Sequence, residues 1–287
     1  MKTGLVLEGG ALRGMFTCGI LDVFMREGIE LDGMIGVSAG AAFGCNYKSR
    51  QQGRALRYNT RYCNDWRYCS MRSLIKTGDL FGGEFCYHYL PANLDHFDMD
   101  VYDANPMPMW VVCMDVDTGE AVYHRCDTAG DECFEWIRAS ASMPMVSRVV
   151  SVGGHNMLDG GMVDSIPLVK MEQMGFERNV VILTQPRGFV KKPNKMMPLV
   201  RVVMRKYPRV IEAMKKRHIG YNETLEHLSR QEEAGKVFAI FPDEKLPIGH
   251  VEKDPEVLRK VYNIGVAKAE QLLPALREWM GRCTNQP

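Results

Sequence analysis

The pentapeptide at residues 36–40, GVSAG, places a serine between small residues. An apolar stretch precedes Ser38 and a stretch rich in small residues follows it, which predicts a strand, a tight turn and a helix. Such a turn holds a serine hydroxyl clear of the sheet as a nucleophile, and Gly36 and Gly40 let the two backbones approach closely. The backbone N–H of Ala39, first in the helix, could stabilise a developing anion. An ordinary strand-to-helix turn is the alternative, because so short a pattern also arises by chance.

A second glycine-rich segment, EGGALRG at residues 8–14, follows the first apolar stretch of the chain. It lacks the Gly-Lys-Ser/Thr ending of a phosphate-binding loop and the G-x-G-x-x-G spacing of a dinucleotide site. Glycines between a strand and a helix direct backbone N–H groups at an anion, so the segment predicts donors for the oxyanion formed when Ser38 attacks a carbonyl. Arg13 either holds this loop, binds an anionic head group or forms an ordinary surface salt bridge. The glycines concerned are Gly9, Gly10 and Gly14.

A serine nucleophile needs a base. Asp159 is the best carboxylate candidate, because it leads from a predicted strand directly into Gly160 and Gly161. Asp32 is also followed by glycine, but it begins the strand that ends at Ser38, which at about 3.3 Å per residue puts the two roughly 20 Å apart. None of the histidines lies in a distinctive motif. They are His88, His96, His124, His155, His218, His227 and His250.

In four ordered blocks the chain resembles the patatin-like phospholipase family, bacterial branch. EGGALRG resembles the glycine-rich oxyanion loop, GVSAG the nucleophile turn, RASASMPMV the Ala-Ser…Pro segment, and LDGG the Asp-Gly-Gly motif. These blocks span residues 8–161, and their order and spacing fit the family. The family's loop usually carries three successive glycines, and here Ala11 stands in the third position. We expect this substitution to matter only if the position requires a positive φ.

The resemblance implies a serine hydrolase that cleaves acyl esters of lipids through a dyad without histidine, metal or cofactor. Ser38 would attack the ester carbonyl, Asp159 would take its proton, and an acyl-enzyme would form. Because an ordinary carboxylate is a poor base at neutral pH, the site must be partly dehydrated. The implied oxyanion donors are the N–H groups of Gly9, Gly10, Ala11 and Ala39. The supporting residues are Arg13, Gly14, Gly36, Gly40, Gly160 and Gly161.

The segment Ala139–Pro144 is expected to shape the pocket floor, with Ser140 or Ser142 supporting Asp159. Helix capping is the alternative for those two serines.

Three other functions stay open. An α/β-hydrolase would combine Ser38 and Asp159 with a late histidine, but that fold places its nucleophile after several strands, whereas Ser38 ends the second. A non-catalytic lipid-binding or regulatory module is the second, and acyl transfer to an acceptor other than water is the third. The histidines of the first alternative are His218, His227 and His250.

Strand-like and helix-like segments alternate along the chain, which predicts an α/β fold with a mostly parallel central sheet and helices on both faces. Strands flank a turn at Thr118–Gly119, a hairpin turns at Gly153–Gly154, and a helix covers residues 166–175. A long helix follows Asp254, which is a plausible N-cap ahead of Pro255. We predict a catalytic core at residues 1–185. Residues 186–287 then complete the same domain with a basic segment, a return strand and C-terminal helices.

Residues 187–217 contain eleven basic side chains and one acid, with apolar residues between them. Such a segment suits a lid or a surface that rests on anionic lipid, and it equally suits a solvated helical face. If it contacts lipid, neutralising Lys215, Lys216 and Arg217 should weaken binding to anionic vesicles.

Composition narrows the class of protein. The 287 residues are 46% hydrophobic and 25% charged, as in ordinary globular proteins, and the net charge of +1 favours no nucleic-acid partner. The apolar run before Glu8 is too short for a signal peptide, and no apolar run approaches the roughly 18 residues of a membrane span. We therefore expect a cytoplasmic protein, with peripheral membrane contact through residues 187–217 as an added hypothesis.

The cysteines are scattered and form no C-x-x-C pair, which argues against a zinc ribbon or a thioredoxin-like motif. Most are expected to be buried, reduced thiols. They are Cys18, Cys45, Cys63, Cys69, Cys86, Cys113, Cys126, Cys133 and Cys283.

Overall fold

The computed structural model describes residues 1–281, and within them eight strands form a single sheet with helices on both faces. The strands are β1 (Thr3–Leu7), β2 (Gly33–Val37), β3 (Met109–Asp115), β4 (Ala121–Arg125), β5 (Val150–Val152), β6 (His155–Asp159), β7 (Arg178–Ile182) and β8 (Val237–Ile240). The α-helices are α1 (Met15–Arg26), α2 (Ala39–Lys48), α3 (Arg54–Tyr62), α4 (Met71–Thr77), α5 (Met99–Ala104), α6 (Asp131–Ser140), α7 (Leu168–Gln173), α8 (Met197–Val203), α9 (Pro208–Glu233) and α10 (Pro255–Gly281).

The sheet order is β5-β6-β3-β2-β1-β7-β8, with β4 also paired to β3. The strands β8, β7, β1, β2 and β3 run parallel, whereas β4 and β6 pair antiparallel with β3, and β5 pairs antiparallel with β6. The predicted α/β class is therefore confirmed, with a mixed sheet whose antiparallel strands lie at one side. The turn between β3 and β4 contains Thr118–Gly119, and the β5–β6 hairpin turns at Gly153–Gly154, as predicted.

Successive residues of each parallel strand point to opposite faces of the sheet, and both sets are apolar. Helices therefore cover both faces. Leu5 and Leu7 of β1 pack in a core with α1, α2 and α10, while Val6 packs on the other face with α7 and α9. The C-terminal α10 crosses α1 at close range: a Cβ on Gly265 would lie 2.0 Å from the carbonyl oxygen of Phe16. The carboxylate of Asp254 accepts the N–H of Glu256 at 2.9 Å, so the predicted cap of this helix is confirmed.

In three regions the structure corrects or completes the secondary structure predicted from the sequence. The helix expected at residues 166–175 is shorter, since α7 begins only after Pro167, whose ring disfavours helical geometry at the preceding residue. Residues 53–105 contain α3, α4, α5 and a π-helix at Phe85–Leu94. The basic segment at residues 187–217 contains α8 and the first turns of α9.

The eight cysteines that lie within residues 1–281 are free, and seven of them are buried. Cys86 is partly exposed. Cys283 lies outside the described residues. No helix within residues 1–281 has the length and hydropathy needed to cross a membrane.

Candidate active site

Ser38 occupies a strained turn between β2 and α2. Its backbone has φ 55° and ψ −124°, a conformation that non-glycine residues seldom adopt and that costs on the order of 1–3 kcal/mol. Gly36 and Gly40 are required by close packing, because a Cβ on Gly36 would lie 2.7 Å from the backbone nitrogen of Ala41 and one on Gly40 would lie 2.4 Å from the carbonyl oxygen of Leu7. The side chain of Ser38, which is 8% exposed, therefore leaves the backbone in a direction that regular strand geometry would not give it.

The sheet register brings Asp159 level with Ser38. Val37 pairs with Val112 on β3, so Ser38 follows at the level of Cys113, and Cys113 pairs with Asp159 on β6. The two backbones are therefore two strand spacings apart, roughly 10 Å, a gap that a serine and an aspartate side chain span together. Gly160 allows β6 to end against β3, because a Cβ there would lie 2.3 Å from the carbonyl oxygen of Val112.

Asp159 is buried, and burial raises the pKa of its carboxyl above the ordinary value. Three groups oppose the rise: the Ser38 hydroxyl, the positive charge of Arg217, and the N–H of Gly161, which donates to Oδ1 at 2.7 Å. The carboxyl is thus a stronger base than a solvated aspartate and lies close enough to the serine hydroxyl to interact with it. Both properties are those required of a general base for serine.

The end of α6 supports both residues. The hydroxyl of Ser140 accepts the N–H of Ser38 at 2.8 Å and donates to the carbonyl of Val112 at 2.6 Å. The backbone carbonyl of Ser142 accepts the N–H of Asp159 at 2.9 Å, while the Ser142 hydroxyl donates to the carbonyl of Arg138 one helical turn earlier. Ser140 therefore supports the serine turn, and Ser142 supports Asp159 through its main chain.

The glycine-rich loop after β1 lies against the serine turn. A Cβ on Gly9 would lie 2.9 Å from the Cβ of Ser38, and one on Gly10 would lie 2.6 Å from the hydroxyl oxygen of Thr184. Within residues 1–281, four backbone N–H groups near the serine donate to no protein acceptor, which leaves them able to bind an oxyanion. They belong to Gly9, Gly10, Ala11 and Ala39.

Ala11 has φ 49°, so the third position of this loop does adopt the left-handed conformation that favours glycine. The backbone strain is local, and the N–H of this residue is present. Gly14 at the end of the loop packs against Phe43, with a Cβ there only 2.7 Å from the ring.

Glu8 anchors the start of the loop. Its buried carboxylate accepts three hydrogen bonds: from the N–H of Thr184 at 2.5 Å, from the Thr184 hydroxyl at 3.0 Å and from the hydroxyl of Tyr221 at 2.6 Å. Tyr221 belongs to α9, so the C-terminal part of the chain helps to fix the glycine-rich loop. No local motif predicts this contact, since 213 positions separate its two residues.

The histidines lie elsewhere. His227 bonds to Glu172 at 2.8 Å and His250 lies 3.3 Å from the Arg13 guanidinium, and no histidine within residues 1–281 hydrogen-bonds to Ser38 or Asp159. Asp32 accepts the N–H of Thr3 at 2.6 Å, at the opposite end of the strands from Ser38.

A cavity of about 270 Å³ opens beside Ser38 and is mainly apolar. Its walls come from the serine turn, from the aromatic region between α3 and the π-helix, and from α6. A cavity of this character suits a fatty-acyl chain. The apolar lining includes Phe43, Tyr58, Phe81, Leu90, Phe97, Phe134, Ile137 and Met143.

Cationic side chains lie on the polar side of the site. Arg13 of the loop is partly buried beside Gly10, and Arg217 of α9 lies beside Gly161 and lowers the pKa of Asp159. Lys191 lies over the ring of Tyr221, with Nζ 4.2 Å from the centroid. The sequence could not single out Arg217 and Lys191 because they stand within a run of eleven basic residues.

Within residues 1–281 no group of three or more histidine, cysteine, aspartate or glutamate residues is placed to hold a metal ion.

The fold and the site geometry together define an α/β protein with a strained serine between a strand and a helix, a buried carboxyl level with it two strands away, and a neighbouring loop of free amides. Residues 5–170 match the model of the family described as patatin-like phospholipase, and the chain belongs to that family. Residues 207–281, which include the whole of α9 and α10, match a second family described as a domain of unknown function.

Relatives span bacteria and fungi. The chain is 28% identical to an Escherichia coli K12 protein described as uncharacterized protein YjjU, over 92% of this chain and 75% of the relative. It is 27% identical to lysophospholipase NTE1 of Mycosarcoma maydis and 29% identical to that of Kluyveromyces lactis, over 61% and 60% of this chain. Those matches cover 9% and 12% of the fungal proteins, so the chain corresponds to about a tenth of their length.

Among solved structures, VipD from Legionella pneumophila superposes with a TM-score of 0.48 at 12% identity, over 96% of this chain and 67% of VipD.

Proposed function

We propose that this protein is a serine acyl hydrolase that cleaves fatty-acyl esters of lipids through Ser38 and Asp159. The observation that carries the proposal is the sheet register that brings the strained Ser38 level with Asp159, whose buried carboxyl has a raised pKa, beside an apolar cavity. Membership of the patatin-like phospholipase family supports lipid as the substrate class.

In the first half-reaction, the Ser38 oxygen attacks the ester carbonyl carbon while its proton passes to Asp159. The negative charge that develops on the carbonyl oxygen is held by the free N–H groups of the glycine loop and of Ala39. The tetrahedral intermediate then collapses to the acyl-enzyme. The C–O bond to the alcohol breaks, and the proton on Asp159 passes to the leaving oxygen.

In the second half-reaction, a water molecule gives a proton to Asp159 and attacks the acyl carbon. The fatty acid leaves, and the proton returns to the Ser38 oxygen. The site is closed around Ser38 and Asp159, so bulk water competes little for the same hydrogen bonds and the base keeps its raised pKa.

We propose a single-chain phospholipid ester as the substrate class. The fungal relatives are described as lysophospholipases, and a cavity of about 270 Å³ is small for two long acyl chains. Purified protein is incubated with a lysophospholipid, and the released fatty acid is quantified by mass spectrometry. Release by wild type and loss of at least about 10³-fold in Ser38→Ala and Asp159→Asn supports the proposal.

A matched control distinguishes hydrolysis from its alternatives. Asp32→Asn removes a carboxylate in a similar Asp-Gly sequence at the far end of the strands and should leave fatty-acid release within about twofold. Transfer of the acyl group to an added alcohol in preference to water would indicate an acyltransferase. Lipid binding without any acyl release would indicate a non-catalytic lipid-binding module.

We further propose that α8 and its neighbours form a surface that rests on anionic lipid. Large apolar side chains are exposed there, including Val202 at 66% and Val190 at 64%, and the basic residues around them are also exposed. This combination of apolar contact and positive charge suits the interface of an anionic membrane. The lipid-facing surface comprises Val190, Lys192, Lys195, Met196, Leu199, Arg201, Val202, Val203 and Arg205.

A further inference from the structure

Three cationic side chains from separate parts of the chain converge beside the proposed dyad. Arg13 comes from the glycine loop, Lys191 from the segment after β7, and Arg217 from α9. Two of these side chains lie against glycines next to the proposed dyad. A Cβ on Gly10 would lie 3.3 Å from Nη2 of Arg13, and a Cβ on Gly161 would lie 3.3 Å from Nη2 of Arg217. We call Arg13, Lys191 and Arg217 the cation cluster.

The cluster lacks matching negative charge. Within residues 1–281, none of its three members forms an ion pair within 4.0 Å, and the Nε atoms of Arg13 and Arg217 are buried without a hydrogen-bond partner. Glu8 is the nearest acid besides the dyad, but Tyr221 and Thr184 already occupy its carboxylate. Buried charges and donors without partners are costly, so they are usually kept for a ligand that pairs with them.

The protonation behaviour of the cluster agrees with this geometry. Burial, followed by the nearby charges of Arg217 and Arg13, lowers the pKa of Lys191 to about 8, while Glu8 opposes the shift. Burial also lowers the pKa of Arg13. An anion bound between these groups would relieve their mutual repulsion.

We infer that the cation cluster is a subsite for the phosphate group of a phospholipid substrate, with Arg217 and Lys191 as its specificity-determining residues. The inference rests on the proposed function, since it assigns the head group of the substrate whose ester Ser38 cleaves. Two guanidinium groups and an ammonium group match a phosphate oxyanion in charge and in hydrogen-bond donors.

The position of the cluster relative to the cavity fits an ester with a polar head and an apolar tail. The cavity beside Ser38 is apolar, and none of the three cations lines it. His250 joins the two regions, since it lines the cavity and its Nε2 lies 3.3 Å from Nη1 of Arg13. An ester at Ser38 could therefore direct its acyl chain into the cavity and its phosphate toward the cluster.

The test compares two substrates with the same short acyl chain, a lysophosphatidylcholine and a monoacylglycerol, both below their micellar concentrations. Arg217→Gln and Lys191→Gln should each lower kcat/KM for the lysophospholipid by about tenfold relative to the monoacylglycerol. The ratio of the two substrates is the readout, because Arg217 also acts on Asp159 and that effect reaches both substrates equally. Lys216→Gln, an exposed neighbour on α9, is the control and should leave the ratio unchanged.

A second arm separates a lipid head group from free phosphate. Glycerophosphocholine should inhibit monoacylglycerol hydrolysis by wild type, and Arg217→Gln should weaken that inhibition. Parallel losses on both substrates, or no loss on either, would overturn the subsite. A third result would also overturn it: inorganic phosphate stabilises the folded protein, but the variants affect the lysophospholipid and the monoacylglycerol alike. The cluster would then bind a soluble phosphate ligand. Wild type that cleaves the monoacylglycerol but not the lysophospholipid refutes the subsite alone, whereas cleavage of neither refutes the proposed function.

Discussion

At the scale of single residues, the proposed mechanism depends on a carboxyl whose basicity comes from burial. Asp159 has a raised pKa because its charged form is poorly solvated, and the Ser38 hydroxyl, Arg217 and the Gly161 N–H only partly offset this. A solvated aspartate would hold too little basicity to take a serine proton at neutral pH. A one-residue shift in the register of β6 against β3 would point this side chain to the other face of the sheet, away from Ser38.

This raised pKa predicts the acid limb of the pH profile. The base works only when deprotonated, so kcat/KM for a neutral ester should fall as pH drops through a pKa above the ordinary aspartate value of about 3.9. Arg217→Gln removes a charge that lowers this pKa and should move the limb to higher pH, whereas Lys216→Gln should not. An acid limb at or below 3.9 in wild type would argue against Asp159 as a buried base.

Ala11 gives a second prediction at this scale. Its φ of 49° costs a non-glycine residue about 1–2 kcal/mol, while glycine loses about 0.5–1 kcal/mol more chain entropy on folding. Ala11→Gly should therefore raise the free energy of unfolding by roughly 0.5–1 kcal/mol in denaturant titrations. Gly160→Ala should do the opposite, because its Cβ would clash with the Val112 carbonyl. Destabilisation by Ala11→Gly would show that the strain at this position is absent.

At the scale of elements, the end of α6 holds the serine turn in place. Ser140 is fully buried and joins the Ser38 N–H to the Val112 carbonyl, so it ties α6 to both β2 and β3 at the site. This role follows from where the helix ends rather than from any property of an isolated serine. The adjacent Ser142 uses its hydroxyl only for its own helix.

Ser140→Ala should accordingly leave a buried N–H and a buried carbonyl without partners. We expect a loss of about 1–3 kcal/mol in the free energy of unfolding and a fall in kcat exceeding the fall in the matched Ser142→Ala variant. Circular dichroism melts and ester turnover measure both effects. Equal effects of the two substitutions would mean that the Ser140 hydrogen bonds do not position Ser38.

The turns near the site can be predicted from the sequence because short local motifs determine their geometry. Small residues around Ser38 and the glycines after Asp159 predict turns because each requires close backbone approach, and the sheet confirms that approach. The helix predicted at residues 166–175 is shorter in the structure, because Pro167 disfavours helical geometry at the residue before it. The contribution of Arg217, Lys191 and Tyr221 was not predictable, since nothing local to these residues indicates which of the many basic or aromatic side chains turns inward.

At the scale of the whole molecule, the C-terminal part completes the site rather than standing apart from it. The strand β8 joins the sheet beside β7, α10 packs against α1, and α9 brings Tyr221 and Arg217 to the oxyanion loop and to Asp159. We infer that residues 186–281 and residues 1–185 form one domain, as predicted for this part of the chain, whereas residues 282–287 lie outside the described residues. From the sequence, Arg217 is grouped with Lys215 and Lys216 as a candidate for lipid contact. Arg217 instead lies at the site, whereas Lys215 and Lys216 are exposed.

The lipid-facing surface gives the prediction at this scale. Replacing Lys195, Arg201 and Arg205 together with glutamine should weaken binding to vesicles of anionic phospholipid, measured by co-sedimentation, by about 10²-fold, since each basic residue contributes roughly 1 kcal/mol near such a surface. Turnover of a monomeric ester should not change. Arg259→Gln with Lys260→Gln, both exposed on α10 and outside residues 187–217, is the control. Unchanged co-sedimentation of the triple variant would remove lipid contact through α8.

The most direct test of the account is covalent labelling with a fluorophosphonate, followed by intact-mass measurement of wild type, Ser38→Ala and Asp159→Asn. The account predicts one adduct on wild type, none on Ser38→Ala, and strongly slowed labelling of a folded Asp159→Asn, because only the pair activates the hydroxyl. Adduct formation that persists in Ser38→Ala, or a folded wild type that neither labels nor turns over any ester, would contradict it.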